Sequence, residues 1–201
     1  MLDNVKSKYI VKEIFENIKN KRKLNIIKYN KKIKIKLDIN KKDFEIYITL
    51  KDFNNKYKIN IEDIDIKELK LNIGNEGLKD LVKINFNNLE VLYLIENKIS
   101  DINILEKVNF KELKKLYLDY NKISDIEVLE IVKLEKLEVL DLGSNEISDI
   151  SILEKVNFKE LKELYLGFNK ISDIKVLEKV KFEKLEVLDL SENKISDINI
   201  L

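Results

Sequence analysis

The sequence predicts an α/β solenoid: a parallel sheet of short strands, one per coil, with short helical turns on the opposite side. Three observations carry that prediction. Asn97, Asn121, Asn145, Asn169 and Asn193 recur at one constant spacing, without a slip. Each closes a copy of L-x-x-L-x-L-x-x-N-x-I, written Leu89, Leu92, Leu94, Asn97, Ile99 in the first clear copy, with later copies beginning at Leu113, Leu137, Leu161 and Leu185. After each Ile comes Ser-Asp-Ile, as in Ser100-Asp101-Ile102, and then a leucine three places on: Leu105, Leu129, Leu153, Leu177 or Leu201.

Each part of the coil has a physical reading. The L-x-L end of the motif alternates with period two, which suits a short strand with its leucines inward. One coil cannot bury its own apolar face, so stacked coils must share a continuous core and pair their strands in parallel. The Asn stands where the chain leaves the strand, and its amide can satisfy backbone groups that the bend leaves unpaired. Ser-Asp then reads as the N-cap of a helical turn. Leu105, Val108, Phe110 and their equivalents pack the outer layer inward. A weaker first copy, Ile66, Leu69, Leu71 and Gly74-Asn75, is one residue shorter and displaces its Asn by one place. A second period, twice the first, is also visible: Val108 to Leu113 matches Val156 to Leu161, as in duplication of a two-coil unit.

This repeat resembles the leucine-rich-repeat family, and N-x-I-S-D-I-x-x-L resembles its internalin-type, short-repeat subclass. The likeness covers residues 66–201, as about six coils. Each coil runs to roughly 23–24 residues, a little longer than that subclass usually shows, with the additional ones around Val108-Asn109-Phe110. The resemblance implies that the variable strand residues face a concave surface used to bind another protein, without catalysis.

Residues 1–65 lack the repeat and read as an N-terminal cap. Ile10, Val11, Ile14, Phe15 and Ile18 predict an amphipathic helix over 3–19, and Leu24, Ile27 and Ile33 a second over 21–37. Alternation of Phe44, Ile46, Ile48 and Leu50, and of Tyr57, Ile59 and Ile61, predicts two strands joined by a turn at Asn54-Asn55. The stretch from Tyr9 to Leu37, with Glu13-Ile14, Ile18 and Leu24, loosely resembles an F-box without its usual leading Pro and later Trp. That likeness implies a substrate adaptor of a cullin-type ubiquitin ligase; the plain alternative is a helical cap.

Composition narrows the function. The 38 basic residues nearly cancel the 37 acidic ones, leaving +1, so the balance gives no general attraction to nucleic acid or to an acidic membrane. Lys, Asn and Ile are abundant while Ala, Gln and Pro are missing and Arg22 is the single arginine, the pattern of an AT-rich coding sequence. The basic run from Lys19 to Lys36 therefore reads as a solvated helix face rather than a phosphate site. There is no Cys and no His, hence no disulfide, thiolate or imidazole chemistry. No phosphate-binding glycine loop or nucleophile elbow is present. The expectation is a cytoplasmic, non-catalytic chain with no cofactor and no metal. The aspartate column Asp101, Asp125, Asp149, Asp173 and Asp197 could suggest a calcium stack, but it stands where helical turns need caps.

The candidate binding residues follow from repeat position. Between the second and third leucines stand Tyr93, Tyr117, Asp141, Tyr165 and Asp189. Just before the Asn stand Glu96, Tyr120, Ser144, Phe168 and Glu192, and one step back Ile95, Asp119, Gly143, Gly167 and Ser191. Tyr93, Tyr117, Tyr120, Tyr165 and Phe168 thus form an aromatic set beside Asp119, Asp141 and Asp189, suited to a helix, loop or small domain. The alternative is that the tyrosines stack on one another and stabilise the sheet. Glu90, Lys114, Glu138, Lys162 and Glu186 alternate in sign at one repeat position, which reads as a lateral charge ladder. The sequence stops in mid-repeat, leaving the leucines of 185–190 uncovered. The expectation is either a truncated product or an end covered by another copy, as in a self-associating scaffold.

Overall fold

The computed structural model of the chain describes residues 41–59, 61, 66–84, 86 and 88–197. It divides into two compact units, residues 1–59 and 60–201. The helices expected over 3–19 and 21–37, and the F-box-like stretch, lie outside the described residues.

In the first unit Lys41–Tyr57 is a single α-helix, α1, in place of the two strands and the Asn54-Asn55 turn that alternation suggested. The competing signal is the spacing of Leu50, Phe53 and Tyr57, which lie on one face of a helix at i, i+3 and i+7. Leu50 and Phe53 are buried, and the rings of Phe53 and Tyr57 lie 4.7 Å apart, one turn on. The helix stops where Lys58 turns left-handed at φ 53° and the Ile59 N–H reaches back to the Asn54 carbonyl at 3.1 Å. That is the Schellman arrangement, which satisfies a carbonyl the helix end would otherwise strand.

The second unit is a six-stranded parallel sheet in chain order: β1 Glu68–Lys70, β2 Val91–Tyr93, β3 Lys115–Tyr117, β4 Val139–Asp141, β5 Glu163–Tyr165 and β6 Val187–Asp189. Each strand centres on a leucine. Leu69, Leu92, Leu116, Leu140, Leu164 and Leu188 are direct partners across the sheet, so the register is the repeat itself. From Leu92 to Leu166 the inward leucines of β2 to β5 are fully buried. Each contributes about 1.5–3 kcal/mol relative to exposure, and it can do so only because a neighbouring coil covers it. In the coil of β6 the equivalent Leu185, Leu188 and Leu190 are half-buried.

Opposite the sheet, the first coil carries a short helix, α2 (Gly74–Leu81), and the next four carry 3₁₀ turns at Asn103–Lys107, Glu127–Glu130, Ser151–Glu154 and Lys175–Glu178. The N-cap position falls on Ile102, Ile126, Ile150 and Ile174, one residue later than the Ser-Asp reading placed it. The aspartate still does the capping: Asp101, Asp125, Asp149 and Asp173 accept the N–H two residues on, at 2.7–2.9 Å. The isoleucine at the strict cap position turns inward and is buried. Phe110, Leu134 and Phe158 close the outer layer. Val108 is only half-buried, in contrast to its equivalent Val132.

Candidate functional site

The strand exits are built by the asparagines. Asn121 shows the pattern. Its Oδ1 accepts the N–H groups of Asn97 at 3.0 Å and Ile99 at 2.9 Å in the preceding coil. Its Nδ2 donates to the carbonyls of Leu94, Leu118 and Asp119 at 2.8–3.1 Å. Asn145, Asn169 and Asn193 repeat the arrangement, receiving the N–H of Ile123, Ile147 and Ile171 at 2.9–3.0 Å. Asn97 begins the row, accepting from Ile73 and, at 3.2 Å, from Gly74. Asn97, Asn121, Asn145 and Asn169 are buried, so each amide meets its hydrogen-bonding demand within the protein. In the first coil Gly74 occupies the ladder position at φ 58°, and the displaced Asn75 instead accepts the Ser100 N–H at 2.9 Å.

To bring that Asn inward, the residue before it is left-handed in each of the five coils that carry it: Glu96, Tyr120, Ser144, Phe168 and Glu192 have φ between 51° and 57°. The N–H groups of Glu96, Tyr120, Ser144 and Phe168 stay bonded to the next coil, as in Tyr120 to the Gly143 carbonyl at 3.1 Å and Phe168 to the Ser191 carbonyl at 2.8 Å. This conformation disfavours a side chain with a Cβ, and a bulky ring most of all. Two of the five positions nevertheless carry rings, and those rings are turned to solvent: Tyr120 is 65% exposed and Phe168 60%.

The outward row between the second and third leucines is brought into register as Tyr93, Tyr117, Asp141, Tyr165 and Asp189. The aromatic set does not form one cluster. Tyr93 and Tyr117 stack with centroids 4.7 Å apart and planes 4° from parallel, the sheet-stabilising arrangement. Tyr165 lies two strands beyond Tyr117, with Asp141 between them. It donates its hydroxyl to Glu163 Oε2 at 2.8 Å, which pushes its pKa up to about 12. Asp141 and Asp189 lean along the face and accept the N–H of Gly143 at 2.9 Å and Ser191 at 2.8 Å. Gly167 makes room for this: a Cβ there would come within 2.7 Å of Asp189 Oδ2.

The charges divide by location. At strand entry, Glu90 pairs with Lys114 at 2.7 Å and Lys67 at 2.8 Å, and Glu138 pairs with Lys162 at 2.8 Å. The expected ladder thus resolves into these pairs. Hydrogen bonds from Lys114 and Lys67 hold the Glu90 carboxyl down at about 2. Away from the sheet, Glu112 pairs with Lys136, Glu146 with Lys170 and Glu160 with Lys184, each joining neighbouring coils. A concavity of about 710 Å3 on that outer side is lined by Phe158, Lys181 and the Lys184–Glu160 pair.

On the face itself, burial pushes Asp119 above the usual aspartate range, and its Oδ1 is buried without a hydrogen-bond partner. Burial also raises Asp141, with Asp119 and Asp189 adding repulsion. Glu163 was not among the residues picked out from sequence. The signal was available, because residues on either side of a buried strand leucine point the same way.

The family model for leucine-rich repeats, in two copies, matches residues 111–155 and 159–201. An internalin (inlF) from Listeria monocytogenes is similar at 31% identity and TM-score 0.53, over 68% of this chain and 45% of that one. The chain thus spans less than half of that internalin's length. An internalin C2 (inlC2) from the same organism is similar in fold at 22% identity and TM-score 0.50, over 78% of this chain and 91% of its own. No curated protein matches the sequence. Domains of this family are in general non-catalytic interaction modules. The repeat region of this chain is a leucine-rich-repeat domain, with coils similar to those of the internalins.

Proposed function

We propose that this domain binds a protein or peptide on the outward face of its sheet, through Tyr93, Tyr117, Tyr120, Asp119, Asp141, Tyr165, Phe168 and Asp189. The observation that carries the reading is the pair Tyr120 and Phe168. Both rings are solvent-exposed at left-handed positions, where the coil needs no ring and where a ring is conformationally costly. Ser144 fills the same position between them, so the bend forms without an aromatic. Strands in a sheet lie about 4.8 Å apart, so two coils separate the rings by roughly 10 Å, within the reach of one peptide segment. Exposed aromatics of this kind offer large contact area at low entropic cost and are enriched at binding hot spots. The Tyr93–Tyr117 stack gives a flat, preformed floor beside them.

The test is selection of a displayed peptide library on the full chain, with counter-selection on a Tyr120→Ser/Phe168→Ser variant. Peptides that bind the first and not the second are expected. Binders that hold both equally would place the binding surface elsewhere.

A further inference from the structure

Among the described residues, every ion pair that joins neighbouring coils is made by a lysine. Glu90, Glu112, Glu138, Glu146, Glu154 and Glu160 each have a lysine ammonium within 2.5–3.4 Å. The outward positions of the β2 to β6 coils break that pattern. They carry Glu96, Asp119, Asp141, Glu163, Asp189 and Glu192 against the single Lys115. Among the described residues, none of these six acids has an ion-pair partner. A chain of net charge +1 has therefore gathered an unneutralised acidic strip on one face.

The strip is not needed by the fold. Asp141 and Asp189 make backbone hydrogen bonds that an asparagine could make equally well. Asp119 Oδ1 has no partner at all. Burial works against the charged forms of Asp119 and Asp141, and repulsion from Asp119 and Asp189 adds to it at Asp141. The acids alternate with rings: Asp119 stands between Tyr117 and Tyr120, and Asp141 between Tyr117 and Tyr165 along the row. Carboxylates interleaved with aromatic faces suit long cationic side chains, whose stems pack on rings while their heads meet the carboxylates. Calcium or another metal is a poorer fit, because no three acidic side chains converge on one point among the described residues.

We infer that the occupant of the sheet face is a basic polypeptide segment, whose lysine or arginine side chains neutralise the unpaired carboxylates between Tyr120 and Phe168. This rests on the reading of the face as a docking surface and names the chemistry of its partner. Electrostatic complementarity of this kind speeds encounter and rejects acidic competitors.

Sequencing the peptides that depend on Tyr120 and Phe168 tests the inference directly. Enrichment in Lys and Arg is expected. Affinity of a selected basic peptide should fall about tenfold or more between 0.05 and 0.5 M salt. It should fall by a similar factor in an Asp119→Asn/Asp141→Asn/Asp189→Asn variant. A Glu112→Gln/Glu160→Gln variant, with its changes away from the face, should bind as the parent does. Thermal melting confirms that each variant is folded. Face-dependent peptides that are neutral or acidic would overturn the inference and leave the docking reading intact. No face-dependent peptides at all would overturn both.

Discussion

Acids at the strand entries and acids on the sheet face sit in the same coils of the same lysine-rich chain, yet they are treated differently. Glu90 and Glu138 are drawn into ion pairs with the next coil, while Asp119, Asp141 and Glu163 are left without a cation. The same contrast holds for the asparagines. Asn121 and Asn145 have their amides fully used by backbone, whereas one residue earlier Tyr120 and Ser144 lend only their backbone to the stack. Side chains that hold coils together are consumed by their neighbours. Those on the face remain available, and two of them are held in a backbone conformation that disfavours them.

The largest expected effect lies on the consumed side. Asn145→Ala leaves the Ile123 N–H without its partner in the interior and removes one of the two donors to each of the carbonyls of Leu118, Leu142 and Gly143. Chemical denaturation should show a loss of about 1–3 kcal/mol, the cost of a buried polar group left unpaired. Ser144→Ala beside it should change stability by less than about 0.5 kcal/mol. Equal losses would erase the distinction.

On the face the sign reverses. Tyr120→Gly and Phe168→Gly each relieve a left-handed residue that glycine adopts freely. Each should raise stability by about 0.5–1 kcal/mol after the added freedom of the unfolded chain is counted.

The carboxyls themselves should separate in an NMR titration. Glu90 is expected to titrate near 2, held down by Lys114 and Lys67. Its folded value lies below its unfolded one, so its stabilising contribution is present above the ordinary glutamate range and is lost as pH falls through about 2. Asp119 and Asp141 are expected above the ordinary aspartate range, because burial disfavours their charged forms. For them the stabilising contribution is present at low pH and lost as pH rises through the raised value. Asp119→Asn should therefore raise Tm at pH 7, and the gain should vanish below about pH 3.

The smallest effect belongs to the strand-entry pairs. Glu138→Gln should lower Tm by no more than about 2 °C, and 0.5 M salt should close the gap.

Much of the fold was legible because the repeat is rigid. A motif that returns at a constant interval sets register, so the central leucine of each strand could be named from spacing alone. The row Tyr93, Tyr117, Asp141, Tyr165, Asp189 follows from the same arithmetic. What escaped the sequence was local geometry with no local signal. Left-handed residues are normally announced by Gly or Asn, but here they are Glu, Tyr, Ser, Phe and Glu, none of which announces the bend. The Ser-Asp cap was misplaced by one residue because an Asp side chain can cap from just outside the turn. In α1, Phe44 to Leu50 alternates as a strand would. Leu50, Phe53 and Tyr57 also fit a helix, and a short apolar run cannot arbitrate between two periods. The charge division was hidden for a different reason. Whether an acid finds a lysine depends on neighbours a full coil away along the chain, on the correct side of the sheet.

The most direct measurement pairs stability with binding in one Tyr120→Gly/Phe168→Gly variant. The account predicts a higher Tm together with loss of the peptides that the parent chain selects. A lower Tm with those peptides still bound would contradict it, since the rings would then serve the fold and not the face.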